Sequence, residues 1–175
     1  MTVYIGLTDP KSPDNVGAVL RAAANYQADH VYFTGIRYQN ALKRAGRSVD
    51  MSRKIGKKIP ISKTDTMLST ITDSMKIVCV ELVENAKPLP NFQHPEHVLY
   101  LFGPEDGSLD QETIDHADDV IYIPTIGCMN LSASVNVLLY DRMAKSISLS
   151  EHDSNTLIKT SRDTNNRLKV KLADT

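Results

Sequence analysis

Val98-Leu99-Tyr100-Leu101-Phe102-Gly103-Pro104-Glu105-Asp106-Gly107-Ser108-Leu109 runs five apolar or aromatic residues straight into a turn of two glycines, a proline and two carboxylates. An unbroken apolar run of this length predicts a strand covered on both faces, as in a parallel sheet. The same grammar recurs in Val3-Tyr4-Ile5-Gly6-Leu7, His30-Val31-Tyr32-Phe33-Thr34, Lys76-Ile77-Val78-Cys79-Val80 and Val120-Ile121-Tyr122-Ile123. Helical spacing fills the intervals. Val16, Val19, Leu20 and Ala23 predict a helix capped by Asp14 or Asn15. Weaker helical signals lie at residues 64–72. A helix over 108–117 opens with Ser108 or Asp110 as cap, and a long one covers 131–147. Strands alternating with helices predict an α/β domain, a largely parallel sheet with helices on both faces, over residues 1–150. Residues 151–175 read as a polar, basic and loosely ordered tail.

The chain has 175 residues, 41% hydrophobic and 23% charged, which suits one globular domain. No apolar run approaches the roughly 18–20 residues that span a bilayer, and no basic-then-apolar leader opens the sequence. Two cysteines, Cys79 and Cys128, make neither a disulfide framework nor a four-cysteine zinc site. A reduced, cytoplasmic protein with no membrane partner is the expectation. Twenty basic residues against 21 acids give a net charge of −1, yet the charge is segregated. Residues 37–63 carry nine bases (Arg37, Lys43, Arg44, Arg47, Arg53, Lys54, Lys57, Lys58, Lys63) and one acid, 9 − 1 = +8. Residues 81–119 carry ten acids and one lysine, 1 − 10 = −9. A local basic segment can steer a polyanion even when the whole molecule is near neutral. With Tyr38 its lone aromatic, it suits phosphates better than stacked bases. The plain alternative is a solvated surface loop.

In parallel α/β sheets, ligands gather at the carboxyl ends of the strands. Three loops leave those ends with unusual content. The first carries Asn15, Gly17 and Arg21, the last two sharing a helix face. The second is the loop at residues 103–109, where Gly103 permits close approach and Glu105 can orient a hydroxyl or bind a cation. The third runs Ile123-Pro124-Thr125-Ile126-Gly127-Cys128-Met129-Asn130-Leu131-Ser132 and brings Asn and Ser to the start of the last helix. Taken singly, each is also an ordinary capped turn. Dinucleotide and P-loop phosphate cradles are absent from the sequence, and the five histidines show neither metal-ligand nor triad spacing, so no metal site is expected. His94 and His97 read as surface residues, Cys79 as core, and Cys128 as a weak nucleophile candidate near the third loop.

In order and spacing the three loops resemble the three motifs of the SpoU branch of the SPOUT RNA methyltransferases, the TrmH-like enzymes. The resemblance covers residues 3 to 147. It rests on Asn15, Gly17 and Arg21, on Phe102-Gly103-Pro104-Glu105 with Gly107 and Leu109, and on Ile123-Pro124 with Asn130-Leu131-Ser132 and Tyr140-Asp141. Two departures are Cys128, where a serine is common, and a short loop after Pro124. The resemblance implies a trefoil knot in the C-terminal half, a homodimer, and transfer of methyl from S-adenosylmethionine to a ribose 2′-hydroxyl. It assigns cofactor contacts to Val80, Glu81, Leu82, Gly103, Pro104, Ile123, Cys128, Met129 and Leu131. It assigns the chemistry to Arg21, Asn15, Glu105, Asn130 and Ser132.

That family often casts the first-motif arginine as general base. The role is physically awkward, because a guanidinium holds its proton to a pKa above about 12. A phosphate grip by Arg21 that stabilises the forming alkoxide is the more economical reading. Arg37, Arg44, Arg47, Arg53, Lys54, Lys57 and Lys58 are the expected RNA contacts. The chain resembles the minimal tRNA enzymes that methylate the wobble ribose, so tRNA is favoured over rRNA. An rRNA enzyme and a non-catalytic RNA-binding module of the same fold stay open at this point.

Overall fold

The computed structural model describes residues 1–45, 59–72, 74–147, 151–162 and 165–170. Seven strands form one sheet in the order β3-β2-β1-β6-β4-β7-β5, every neighbouring pair parallel. They are β1 (Thr2–Leu7), β2 (His30–Phe33), β3 (Ile61–Lys63), β4 (Lys76–Val80), β5 (Lys87–Pro88), β6 (His97–Phe102) and β7 (Asp119–Tyr122). The helices are α1 (Pro13–Asn25), α2 (Arg37–Arg44), α3 (Gln111–Asp115), α4 (Leu131–Ser146) and α5 (Glu151–Ser161). The chain divides into two compact units, Met1–Lys145 and Ser146–Thr175.

The apolar runs are continuous because the two faces of the sheet feed separate cores. From β6, Val98, Tyr100 and Phe102 enter one cluster, with Val16, Val19 and Leu20 of α1 and Val135, Leu138 and Leu139 of α4. Leu99 and Leu101, pointing the other way, join Met67, Ile77, Cys79 and Leu109. Period-two alternation between two buried faces leaves no polar position on the strand. Each of these side chains contributes roughly 1.5–3 kcal/mol by leaving water. Burial pushes the Cys79 thiol up to about 12, with Glu81 and Asp110 adding to it, so it stays an inert core thiol.

Several expectations needed revision. Helix α1 starts at Pro13, and Ser12, not Asp14 or Asn15, is its cap, its hydroxyl accepting from the Asn15 amide at 3.3 Å. The Ser-Pro pair supplies both an oxygen cap and a pre-set φ at the first helical residue. Helix α2 was not anticipated, since its eight residues hold a single buried side chain, Tyr38. Residues 151–161 form α5 rather than loose chain.

His94 is not on the surface. Its side chain is 5% exposed and stands between the Tyr100 hydroxyl at 2.6 Å and Asp141 Oδ2 at 2.8 Å. Burial lowers its pKa against the opposing pull of Asp141. A neutral ring facing a carboxylate must donate from Nε2, so Nδ1 accepts the tyrosine proton. Tyr100 in turn accepts from Arg142 Nη1 at 3.0 Å, and the same guanidinium donates to the carbonyls of Pro95 at 2.7 Å and Glu96 at 3.4 Å. Lys145 extends the anchorage to the carbonyls of Leu89 and Phe92, at 2.7 and 3.0 Å. The far half of α4 is thus fastened to the segment between β5 and β6.

Arg142 is 7% exposed, so its removal orphans buried acceptors. We expect Arg142→Ala to lower unfolding stability by about 2–4 kcal/mol, measured by urea denaturation.

Candidate active site

The carboxyl ends of β4, β6 and β7 open on a cleft of about 240 Å³. Its walls include Val80, Glu81, Leu82, Gly103, Pro104, Ile123, Cys128, Met129 and Leu131, the nine positions given to a cofactor, together with Glu105 and Asn130. Phe102, Gly107, Tyr122, Thr125 and Ser134 complete the lining, and none of them was among the expected site residues. Phe102 and Tyr122 are the last residues of β6 and β7; Phe102 also belongs to the second motif, whereas the strand-end rule alone was the signal for Tyr122.

One hydrogen-bonded chain joins the three loops. Ser132 donates from its amide at 2.9 Å and its hydroxyl at 2.7 Å to Asn130 Oδ1, an N-terminal cap for α4. Asn130 Nδ2 donates to Asn15 Oδ1 at 3.0 Å, and Asn15 Nδ2 donates to Glu105 Oε1 at 3.1 Å. Glu105 also accepts the amides of Ser12 and Lys11, at 3.0 and 2.8 Å. Burial raises the pKa of this carboxyl, but those amides and Asn15 outweigh it, and the net value lies below the ordinary one. Because Ser12 caps α1, the Asn15 side chain is released to bridge. Glu81 braces the second loop from beneath, accepting Leu109 N at 3.0 Å and Leu82 N at 3.0 Å. A Cβ on Gly103 would stand 3.1 Å from Leu109 N and 3.2 Å from Glu81 Oε2, so the loop backbone lies against its support.

The expected charged residues fare differently. Arg21 is exposed on α1 outside the cleft lining, and its side chain has no hydrogen bond or ion pair among the described residues. Arg37 is engaged with Asp9 and Asp106. Arg44 is exposed at the end of α2. Arg47, Arg53, Lys54, Lys57 and Lys58 lie outside the described residues. Cys128 is exposed. Among the described residues no group of three His, Cys, Asp or Glu side chains could hold a metal ion.

A parallel sheet with a cleft at the carboxyl ends of β4, β6 and β7, whose loops are hydrogen-bonded to one another and to the start of α1, has the form of a ligand-binding α/β domain. The profile of the SpoU rRNA Methylase family matches residues 2–140, and the chain belongs to that family. It is 24% identical over 152 residues to the tRNA (cytidine-2′-O-)-methyltransferase TrmJ of Sulfolobus acidocaldarius, covering 81% of this chain. The chain spans 65% of the length of that relative. Among solved structures it resembles AviRb of Streptomyces viridochromogenes, a SpoU methyltransferase in complex with AdoMet (TM-score 0.65, 17% identity, 85% of this chain and 59% of that one). A structure described as giving insight into "the 2-OH methylation of C/U34 on tRNA" matches at TM-score 0.66 and 21% identity, covering 82% of this chain and 95% of that one. These structural likenesses establish the shared fold.

Glu105→Gln replaces one acceptor oxygen with a donor facing N–H groups. We expect a loss of about 1 kcal/mol at neutral pH, the low end for a charged hydrogen bond because the site is half-buried. The wild-type advantage is fully present above the ordinary value of 4.5 and fades as pH falls through the lower folded value. Denaturant midpoints of both proteins between pH 7 and pH 3 give this comparison.

Proposed function

We propose that the chain is an S-adenosylmethionine-dependent RNA methyltransferase that transfers a methyl group to a ribose 2′-hydroxyl of tRNA, with the wobble nucleotide as target. The observation that carries this reading is the Ser132–Asn130–Asn15–Glu105 chain, which joins residues of all three motif loops and sets two of them, Glu105 and Asn130, in the cleft wall. Family membership, the tRNA 2′-O-methyltransferase relative and the similar-sized fold neighbour support the reaction and the substrate.

The residues fit the cofactor. Gly103 lets the second loop pack closely against Leu109 N and Glu81 at the cleft wall, and the lining mixes apolar side chains such as Val80, Leu82 and Ile123 with polar ones such as Glu81 and Asn130. Backbone and side chains at 80–82, 103–104, 123 and 128–131 would hold it. The bound cofactor supplies an electrophilic methyl on a sulfonium. The chain's own residues then have to hold the hydroxyl in line and favour its deprotonated form. Positioning of this kind is worth roughly 7–11 kcal/mol of the barrier. Arg21, exposed and without a side-chain partner among the described residues, would grip the phosphate next to the target ribose. Its fixed positive charge stabilises the forming alkoxide without accepting the proton itself. The phosphate or a water takes that proton. Asn15 and Asn130 are locked to each other, so Asn130 would meet the ribose from a fixed orientation in the cleft wall.

We further infer a homodimer, supported by Val137 and Tyr140, which α4 leaves 37% and 57% exposed. We also infer a knotted C-terminal half, supported by the anchorage of Arg142 and Lys145 to carbonyls between residues 89 and 96. Among the described residues no helix is long and apolar enough to cross a membrane.

Arg21→Ala should abolish methyl transfer to tRNA transcripts while calorimetry finds cofactor affinity within about twofold of wild type. Turnover equal to wild type would remove Arg21 from the chemistry. Replacing Arg53, Lys54 and Lys57 with glutamate should weaken tRNA binding and lower the log–log salt slope by about 2–3, one increment for each lost phosphate contact. The slope is read from filter binding between 50 and 200 mM salt, the range over which such contacts act by about an order of magnitude or more.

A further inference from the structure

The basic segment begins at Arg37, and this first residue is tied to the second motif loop. Its Nη1 donates to both carboxylate oxygens of Asp106, at 2.7 and 3.0 Å. The other edge of the fork, Nη2 and Nε, donates to the Asp9 carbonyl at 2.6 and 3.0 Å. Nε also stands 2.9 Å from Asp9 Oδ2. Asp9 Oδ1 in turn accepts the amides of Ile36 and Arg37, at 3.2 and 3.3 Å, and so caps α2, whose own cap position is an isoleucine without a side-chain acceptor. The backbone is bent to achieve this. Asp9 sits at φ 40° and Gly35 at φ 74°, and a Cβ on Gly35 would lie 1.9 Å from Asp9 Oδ1. A non-glycine residue in the left-handed region is held there only when its surroundings over-determine it.

We propose that Arg37 is a positioning residue that couples the basic segment to the cofactor cleft through Asp106, rather than a phosphate contact. Asp106 lies between Glu105 and Gly107, both of which line the cleft. The clamp therefore fixes the loop on its outer side, while Asn15 and the amides of residues 11 and 12 fix it through Glu105 on the inner side. A guanidinium fork reaches the two acceptors at once, and a lysine ammonium cannot. Displacement of α2 when the basic segment docks on a polyanion would pull on the loop that shapes the cleft. This inference rests on the reading of that cleft as the cofactor site.

Arg37→Lys separates the two roles, because it keeps the charge and loses the fork. In hydrogen–deuterium exchange, Arg37→Lys and Asp106→Asn should both speed exchange of residues 103–109 by about two- to tenfold, the range expected for a solvent-accessible charged clamp, and leave 131–146 unchanged. Calorimetry with S-adenosylmethionine should find affinity lowered by a similar factor in each. The double variant should be no weaker than the weaker single one, since both break one contact. Binding of tRNA by Arg37→Lys should keep its wild-type salt slope. Wild-type exchange at 103–109 and wild-type cofactor affinity in both single variants would overturn the proposal, whatever happens to tRNA binding. Failure of the wild-type chain to bind S-adenosylmethionine would reject the cofactor assignment instead, and the exchange rates alone would then decide the role of Arg37.

Discussion

A single carboxylate holds the cleft together. Glu105 accepts from the amides of Lys11 and Ser12 and from Asn15, which is itself bonded to Asn130. Without that acceptor the loop after β6 would lose its inner tie to the start of α1, leaving Asn15 bonded only to Asn130 at the start of α4 and the loop held on its outer side by Arg37. Charge matters here as much as geometry. An ionised carboxylate offers only acceptor sites, so it can satisfy several inward-pointing N–H groups that no neutral side chain of that size could serve together. The acidity of residues 81–119 accordingly has internal uses. Glu81 braces Leu109, Glu105 joins the loops, and Asp106 and Asp118 are paired with Arg37 and Lys76.

The strands were legible because burial on both faces leaves a plain mark, five apolar residues without a polar break. β4 matches the expected boundaries, β6 starts one residue earlier than expected, and β7 is shifted one residue toward the N-terminus at both ends. β5 left no such mark, being two residues of Lys-Pro at an edge. Helix α2 left none either, since its surface is polar and its start is capped by Asp9, 28 positions before Arg37. Local reading cannot find a cap supplied from across the fold. His94 misled for the same reason. A His beside Pro in a polar stretch reads as surface, and only Tyr100 and Asp141, brought to it by β6 and α4, make the site a buried one.

The cleft walls were legible to a different depth. All nine positions that the family resemblance gave to the cofactor line the cleft, and they stand at or after the carboxyl ends of β4, β6 and β7. What each side chain does there was less visible. Asn15 is a natural cap by type, but Ser12 takes that task and frees it. Arg37 reads as one cation among nine, and nothing in the local pattern distinguishes it from Arg44. Its special place follows from Gly35 and Asp9, which only the folded backbone brings together.

The bond between Asn130 and Asn15 closes a loop of 115 residues. A ribosome adding roughly 5–20 residues per second needs about 6 to 23 s to travel from one to the other. The amides of residues 11 and 12 lack their carboxylate partner until Glu105 is made, β1 lacks its neighbour β6 until residues 97–102 are made, and Asn15 Oδ1 waits for Asn130 through the whole interval. The site is therefore among the last features the nascent chain acquires, and no ligand of the cleft can guide its early folding. Such a ligand binds the finished domain alone, and its stabilising effect follows the simple mass-action law for a protein that is either whole or unable to bind.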